Sequence, residues 1–284
     1  MLLGALLAPL FFWGAHVLAS RVQNNRLHEL LTETDLQRFF DCGVLVAAFA
    51  LLWPLVRVLR VRNVREDLGL ARDGKPWRRF FSGFAISSLS MIVLGACLVA
   101  TGIYYLKSDF PWSRLAWLPL SAIVVAVLEE FLFRGAIQGV VRRSISDIAA
   151  FVFVAALFAA IHFIRPPENA VASNEVTWWS GFALVPHVFW QFQQPKLLLG
   201  GFTTIFLVGM ILGFARMKTH SLWMPIGLHA GWILGKMSFT KITKRTAEAW
   251  PWFGTDILVG LGPVIVLLVT FGILWLWLRN VDAH

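Results

Sequence analysis

Two adjacent carboxylates, Glu129 and Glu130, and a guanidinium, Arg134, stand in the otherwise apolar stretch IVVAVLEEFLFRG, residues 123–135. Charges at bilayer depth cost about 2.5–3.5 kcal/mol each to insert, so all three need a reason. On a helix Glu130 and Arg134 are four apart and face each other, which makes a neutralising pair. Glu129 lies 100° round the helix from Glu130 and five residues before Arg134, a poorer position for pairing. One carboxylate is therefore committed to structure and the other is left for chemistry. Two further polar residues interrupt apolar runs: His162 in AALFAAIHFIR and His229 in MPIGLHAGW. A carboxylate beside an imidazole in a water-poor site is a general-base arrangement. A water held between Glu129 and His162 could be deprotonated to attack a peptide carbonyl, with His229 as a hydrogen-bond donor to the oxyanion. The same residues, Glu129, His162 and His229, also make a plausible zinc set with an open position. Spacing does not choose between the two.

The elements that carry these residues must bring them to one level. Glu129 lies 13 residues before Arg142, and His162 lies 15 after Asp147, on either side of the turn RRSISD at 142–147. At 1.5 Å per residue both are roughly 20 Å from that turn on antiparallel helices. His229 is nine residues past His220, about 13 Å into its own helix, a looser match. Glycines recur every four residues beside it, at Gly227, Gly231 and Gly235, and again at Gly209 and Gly213. Such stripes let helix backbones approach closely. Their expected role is packing that draws His229 into the core.

The composition demands a membrane setting. The chain has 284 residues, 58% apolar and 14% charged, against about a quarter charged in soluble domains. Runs near the 20 residues needed to cross the hydrocarbon recur throughout, without the period-two alternation of a barrel. An all-α polytopic membrane protein follows, with about eight transmembrane helices in one bundle: 1–19, 39–56, 80–105, 115–141, 148–164, 197–215, 221–239 and 256–278. The first run has no preceding Lys or Arg and is long for a signal peptide, so it reads as a retained span. The net charge of +9 comes mostly from residues between spans, which argues for topology rather than a nucleic-acid partner. Segment 57–79 holds eight Lys or Arg and three acids, placing it in the cytoplasm and, with eight spans, both termini there too. The loops then expected inside hold 13 basic residues, and those outside hold 10. A bacterial-type cytoplasmic membrane suits this pattern. Segment 165–196 carries Trp178, Trp179 and Trp190 and reads as an aromatic-rich piece at the bilayer interface. Cys42 and Cys97 offer neither a disulfide framework nor a metal finger.

The motifs now assemble. Glu129-Glu130-xxx-Arg134 fits EExxxR, Phe158-xxx-His162 fits FxxxH on the next span, and a later membrane histidine, His229 in SLWMPIGLHAGW, follows in order. Together, over about residues 80–240, they resemble the CAAX protease and bacteriocin-processing family, also called Abi, of intramembrane endopeptidases. The resemblance implies an eight-helix bundle that cleaves peptides within the membrane. It implies that Glu129 and His162 activate water, that Glu130 and Arg134 support the site, and that His229 joins the oxyanion-stabilising or metal-binding group. Members are described as metalloproteases, while a metal-free, glutamate-dependent mechanism has been argued for the prenyl endopeptidase. One departure stands out: the family usually has Asn or Asp four residues after this histidine, and here that position is Ile233. Lys236, seven after His229, could replace the missing donor or could snorkel to the headgroups.

The expected organisation is two N-terminal helices with the basic segment (1–79), a catalytic membrane core (80–240) and a C-terminal helix (241–284). The expected partners are the bilayer and a membrane-embedded or lipidated peptide or protein substrate. A non-catalytic immunity or scaffold protein of the same family, and a proton- or ion-coupled transporter, are the other readings. A transporter would show broken helices in two related halves, and the sequence has no such symmetry.

Overall fold

The structure, a computed structural model, describes residues 1–23, 25–58, 74–167, 170–171 and 175–281. The basic stretch on which the orientation rests falls mostly at 59–73, outside the described residues. The chain is an all-α membrane protein. Five helices are long and apolar enough to cross a bilayer: Leu2–Ala19, Pro76–Ala100, Trp112–Val141, Pro195–Thr219 and Leu261–Arg279. They correspond to five of the eight expected spans. The other three coincide with helices that fall short of this count or outside it. Asp147–His162 is apolar but only 16 residues long. Trp223–Ile242 is buried at every residue from Met224 to Trp232, so it has little need of a lipid-compatible surface. Leu36–Val58 covers the third.

The chain divides into two compact units, residues 1–60 with 161–195, and 61–160 with 196–284. In the first, α1 (Leu2–Ala19), α2 (Asn25–Thr32) and α3 (Leu36–Val58) precede the short α7 (Ser180–Leu184). Small residues bring α1 and α3 together: a Cβ on Gly43 would come within 2.8 Å of the Gly4 carbonyl. Ala5, Ala8, Phe12, Leu36, Phe40, Leu184 and Val188 form the core. The tryptophan-rich segment is thus a packed part of this unit, and Trp178 meets Trp13 edge-on at 4.5 Å. Trp178 and Trp179 keep much of their surface exposed, as interfacial anchors do.

The second unit holds α4 (Pro76–Ala100), α5 (Leu118–Glu130), α6 (Asp147–His162, whose last two residues group with the first unit), α8 (Pro195–Thr219), α9 (Trp223–Ile242) and α10 (Leu261–Val281). The glycine stripe packs as expected. Cβ atoms on Gly227 and Gly231 would strike the backbone of Phe80 and the hydroxyl of Ser87 on α4, and one on Gly235 would lie 2.5 Å from Met91 Cβ. Gly83 on α4 reciprocates, 2.6 Å from the Met224 carbonyl. The Trp232 indole N–H donates to Ser90 Oγ across the same seam. Likewise Gly209 and Gly213 of α8 let Ala155 and Phe151 of α6 approach. These contacts fix α9 tightly, and with it His229.

Outside the helices, a two-stranded antiparallel ribbon joins β1 (Tyr104–Leu106) to β2 (Thr243–Arg245). It ties the end of α9 to the chain between α4 and α5. Arg245 braces the ribbon by donating to the Gly254 carbonyl at 2.7 Å.

Candidate active site

The last α-helical residue of α5 is Glu130, and the chain continues without a break into a π-helical turn, Phe131–Ile137, before a final α turn, Gln138–Val141. π-Turns inside α-helices recur at functional sites, because the extra residue per turn re-aims the side chains around them. Here the turn begins directly after the paired carboxylates and contains Arg134. The i,i+4 pair read from α-helical spacing forms nonetheless: Arg134 Nη1 donates to Glu130 Oε1 at 2.8 Å. Both side chains are sealed from solvent, at 1% and 0% exposure.

Glu130 Oε1 serves a second donor. His229 Nδ1 lies 2.8 Å from it, bridging 99 residues of sequence. A carboxylate bound to guanidinium offers only acceptors, so the proton on Nδ1 belongs to the histidine. This bond orients the ring and directs Nε2 toward Glu129, whose Oε2 is 3.8 Å away. That distance is too long for a direct hydrogen bond and leaves both atoms within reach of one water held to the side of the pair. Glu129 is the more accessible carboxylate, with a fifth of its side chain exposed. Glu130 Oε2 is buried with no hydrogen-bond partner among the described residues. Orphaned buried oxygens are rare and recur where a site needs them.

Phe158 of α6 completes the cluster. The Arg134 guanidinium carbon stands 4.2 Å from the centroid of its ring, and the ring meets His229 at 5.7 Å in an edge-to-face contact. A desolvated cation over an aromatic face is worth about 2 kcal/mol. Arg134 also reaches the Gly209 carbonyl, at 3.4 Å. Two acceptors, on α5 and α8, and a ring face from α6 thus hold one guanidinium. Phe158, marked in the sequence only by the FxxxH spacing, bridges the cation and the imidazole with its ring.

The remaining expected residues stand as follows. His162 is the half-buried last residue of α6, four after Phe158 and within the first unit. Lys236 does not join the cluster: its ammonium is 4.0 Å from Asp256 Oδ2, both partly exposed. Ile233 packs against an apolar cluster of Phe80, Ala126, Leu222, Ile226 and Ala230. The turn after His229 is therefore apolar where the family usually has an amide or carboxylate. Among the described residues no three His, Cys, Asp or Glu side chains are grouped to hold a metal ion. His229 Nε2 and Glu129 supply two donors of the zinc set suggested by the sequence, while Nδ1 is spent on Glu130. Two donors fall short of the three protein ligands of a catalytic zinc.

Residues 111–234 match the family model described as Type II CAAX prenyl endopeptidase Rce1-like. The matched segment contains Glu129, Glu130, Arg134, Phe158, His162 and His229, and agrees with the resemblance to the CAAX protease and bacteriocin-processing family. Comparison with curated proteins and with solved structures returned no match.

Proposed function

We propose that this membrane protein is an intramembrane endopeptidase that hydrolyses a membrane-associated peptide or protein, in the manner of the CAAX prenyl endopeptidases it is similar to. The observation that carries this reading is the separation of 3.8 Å between Glu129 Oε2 and His229 Nε2, with the ring locked from behind by Glu130. A water held beside that pair would give its proton to Glu129 as it attacks the scissile carbonyl. Electron density would move from the water oxygen to the carbonyl carbon and on to the carbonyl oxygen. His229, protonated at Nε2 through Glu129, would hydrogen-bond the oxyanion; as the oxyanion collapses the scissile C–N bond would break and that proton would pass to the leaving nitrogen, giving a carboxyl group and an amine. His162 is proposed as the second water-activating group on the ground of its motif and its sequence depth. Glu130 and Arg134 are positioning residues. Their work is to hold the imidazole in one orientation so that little reorganisation is needed during reaction.

The substrate class follows from the setting, a peptide brought to the site by the bilayer; a lipidated chain is one such substrate. We further propose that both termini lie in the cytoplasm, and a reporter fused at the 142–147 turn would read as cytoplasmic. Extracytoplasmic reporter activity at that turn would overturn the orientation.

The test of the reaction is cleavage of an internally quenched peptide carrying a prenylated CAAX end, by the full chain in bilayers. Glu129→Gln should lower kcat by two or more orders of magnitude with the fold intact. Undiminished cleavage by that variant would remove Glu129 from the mechanism.

A further inference from the structure

About 20 Å from Glu129 along its helix, at the opposite end from the 142–147 turn, the second unit carries a pocket of 580 Å³ that the proposed hydrolysis does not use. Its walls are Tyr105, Phe110 and Pro111, and its polar groups include Lys107, Arg114 and Lys241. The volume falls within the range of small-ligand sites. Three features make it a built site rather than a scatter of surface charge.

First, its cations converge from separate elements. Lys107 follows β1 and Arg114 lies in the short helical turn Trp112–Leu115, both in the chain joining α4 to α5, and Lys241 lies in the last turn of α9. Second, Lys107 is fixed. Its backbone N–H donates to the Ile242 carbonyl at 2.9 Å, and its ammonium donates to the Lys241 carbonyl at 2.7 Å. Two further ammonium protons remain available. Third, the charge is only partly offset, with three cations against one carboxylate. Arg114 and Lys241 make no side-chain hydrogen bond or ion pair among the described residues. The one acid in the pocket, Asp109, accepts from Ser108 at 3.1 Å. Like charges gathered around a recess repel one another unless an anion joins them.

The location narrows the anion. The pocket joins the ends of two candidate spans, Pro76–Ala100 and Trp112–Val141, where a polypeptide meets lipid headgroups. Exposed Trp112 and Trp117 flank it at the level of an aromatic belt. Aromatic rings together with ammonium and guanidinium groups in one recess match a phosphate ester with an apolar tail. Arg and Lys are the side chains that recognise phosphate.

We propose that this pocket binds the phosphate group of an anionic lipid at the membrane surface, through Arg114, Lys241 and Lys107. The shared chemistry is a phosphate anion, and the test separates its two sources, a headgroup and free phosphate.

The purified full chain in neutral detergent is titrated with phosphatidylglycerol, phosphatidylcholine or inorganic phosphate, and bound species are counted by native mass spectrometry. Arg114→Gln and Lys241→Gln alter exposed side chains outside the catalytic cluster, so both variants should fold. Each should weaken phosphatidylglycerol binding about fivefold, and the double variant about 25-fold, because each surface cation contributes roughly a fivefold affinity toward anionic lipid. Lys218→Gln, an exposed cation in the last turn of α8 outside the pocket, should leave binding unchanged. Competition by inorganic phosphate at equal concentration would assign the pocket to free phosphate, and its absence would assign it to the headgroup. Equal binding of phosphatidylcholine, or equal losses in Lys218→Gln and the pocket variants, would overturn the proposal.

Discussion

Replacing Arg134 by methionine tests what holds the cluster together. The substitution keeps an unbranched apolar side chain but leaves Glu130, at 0% exposure, with its charge uncompensated. Breaking a buried ion pair from one side costs about 3–5 kcal/mol. The lost stacking on Phe158 is part of that figure and not an addition to it. Glu130→Gln in the same background removes the orphaned charge and keeps an oxygen to accept from His229 Nδ1. The double variant should therefore recover at least about 2 kcal/mol of the loss, as coupled neighbours do. The assay is reversible unfolding of the purified protein in mixed neutral and denaturing detergent, run on wild type, both single variants and the double. Strict additivity, or an Arg134→Met variant within about 1 kcal/mol of wild type, would refute the claim that a desolvated pair organises this site.

Two other expectations follow from named contacts. Phe158→Leu should cost about 2–4 kcal/mol, from lost ring volume and from the guanidinium left without its aromatic face, while Phe158→Tyr should retain most of the stability; equal melts for Leu and Tyr would deny the cation–π contact. Gly231→Ala places a methyl group against Ser87 Oγ and 2.7 Å from the Phe84 carbonyl, so it should force α9 from α4 and destabilise by about 1–3 kcal/mol in the same unfolding assay. A neutral Gly231→Ala would mean that the seam has slack.

The parts of this arrangement that the sequence made legible are those set by local spacing. Glu130 and Arg134 pair because residues four apart face each other, and the glycine stripes announce close helix contacts because nothing else fits there. The apolar runs locate the helices, although α9 reads as a span while being mostly enclosed by protein. Less legible was the partner of His229. Counting residues along helices matched Glu129 to His162 and left His229 loosely placed, because depth says nothing of rotation about each axis. Rotation is fixed by the α4–α9 seam, a contact between segments some 140 residues apart. The π-turn after Glu130 has no sequence signature in the apolar run FLFRGAI. The ribbon of β1 and β2 was equally hidden, since three-residue strands carry too little pattern. Ile233, noticed as a departure from the family, sits in an apolar cluster that compensates for nothing polar.

The most direct test of the account compares membrane peptide profiles from cells carrying wild type, Glu129→Gln and His162→Ala at equal expression. The account predicts a fragment that depends on wild type and vanishes in both variants, and that fragment would name the substrate. Profiles that match across all three, with the cellular phenotype retained, would contradict it and leave the cluster of Glu129, Glu130, Arg134 and His229 a structural clamp.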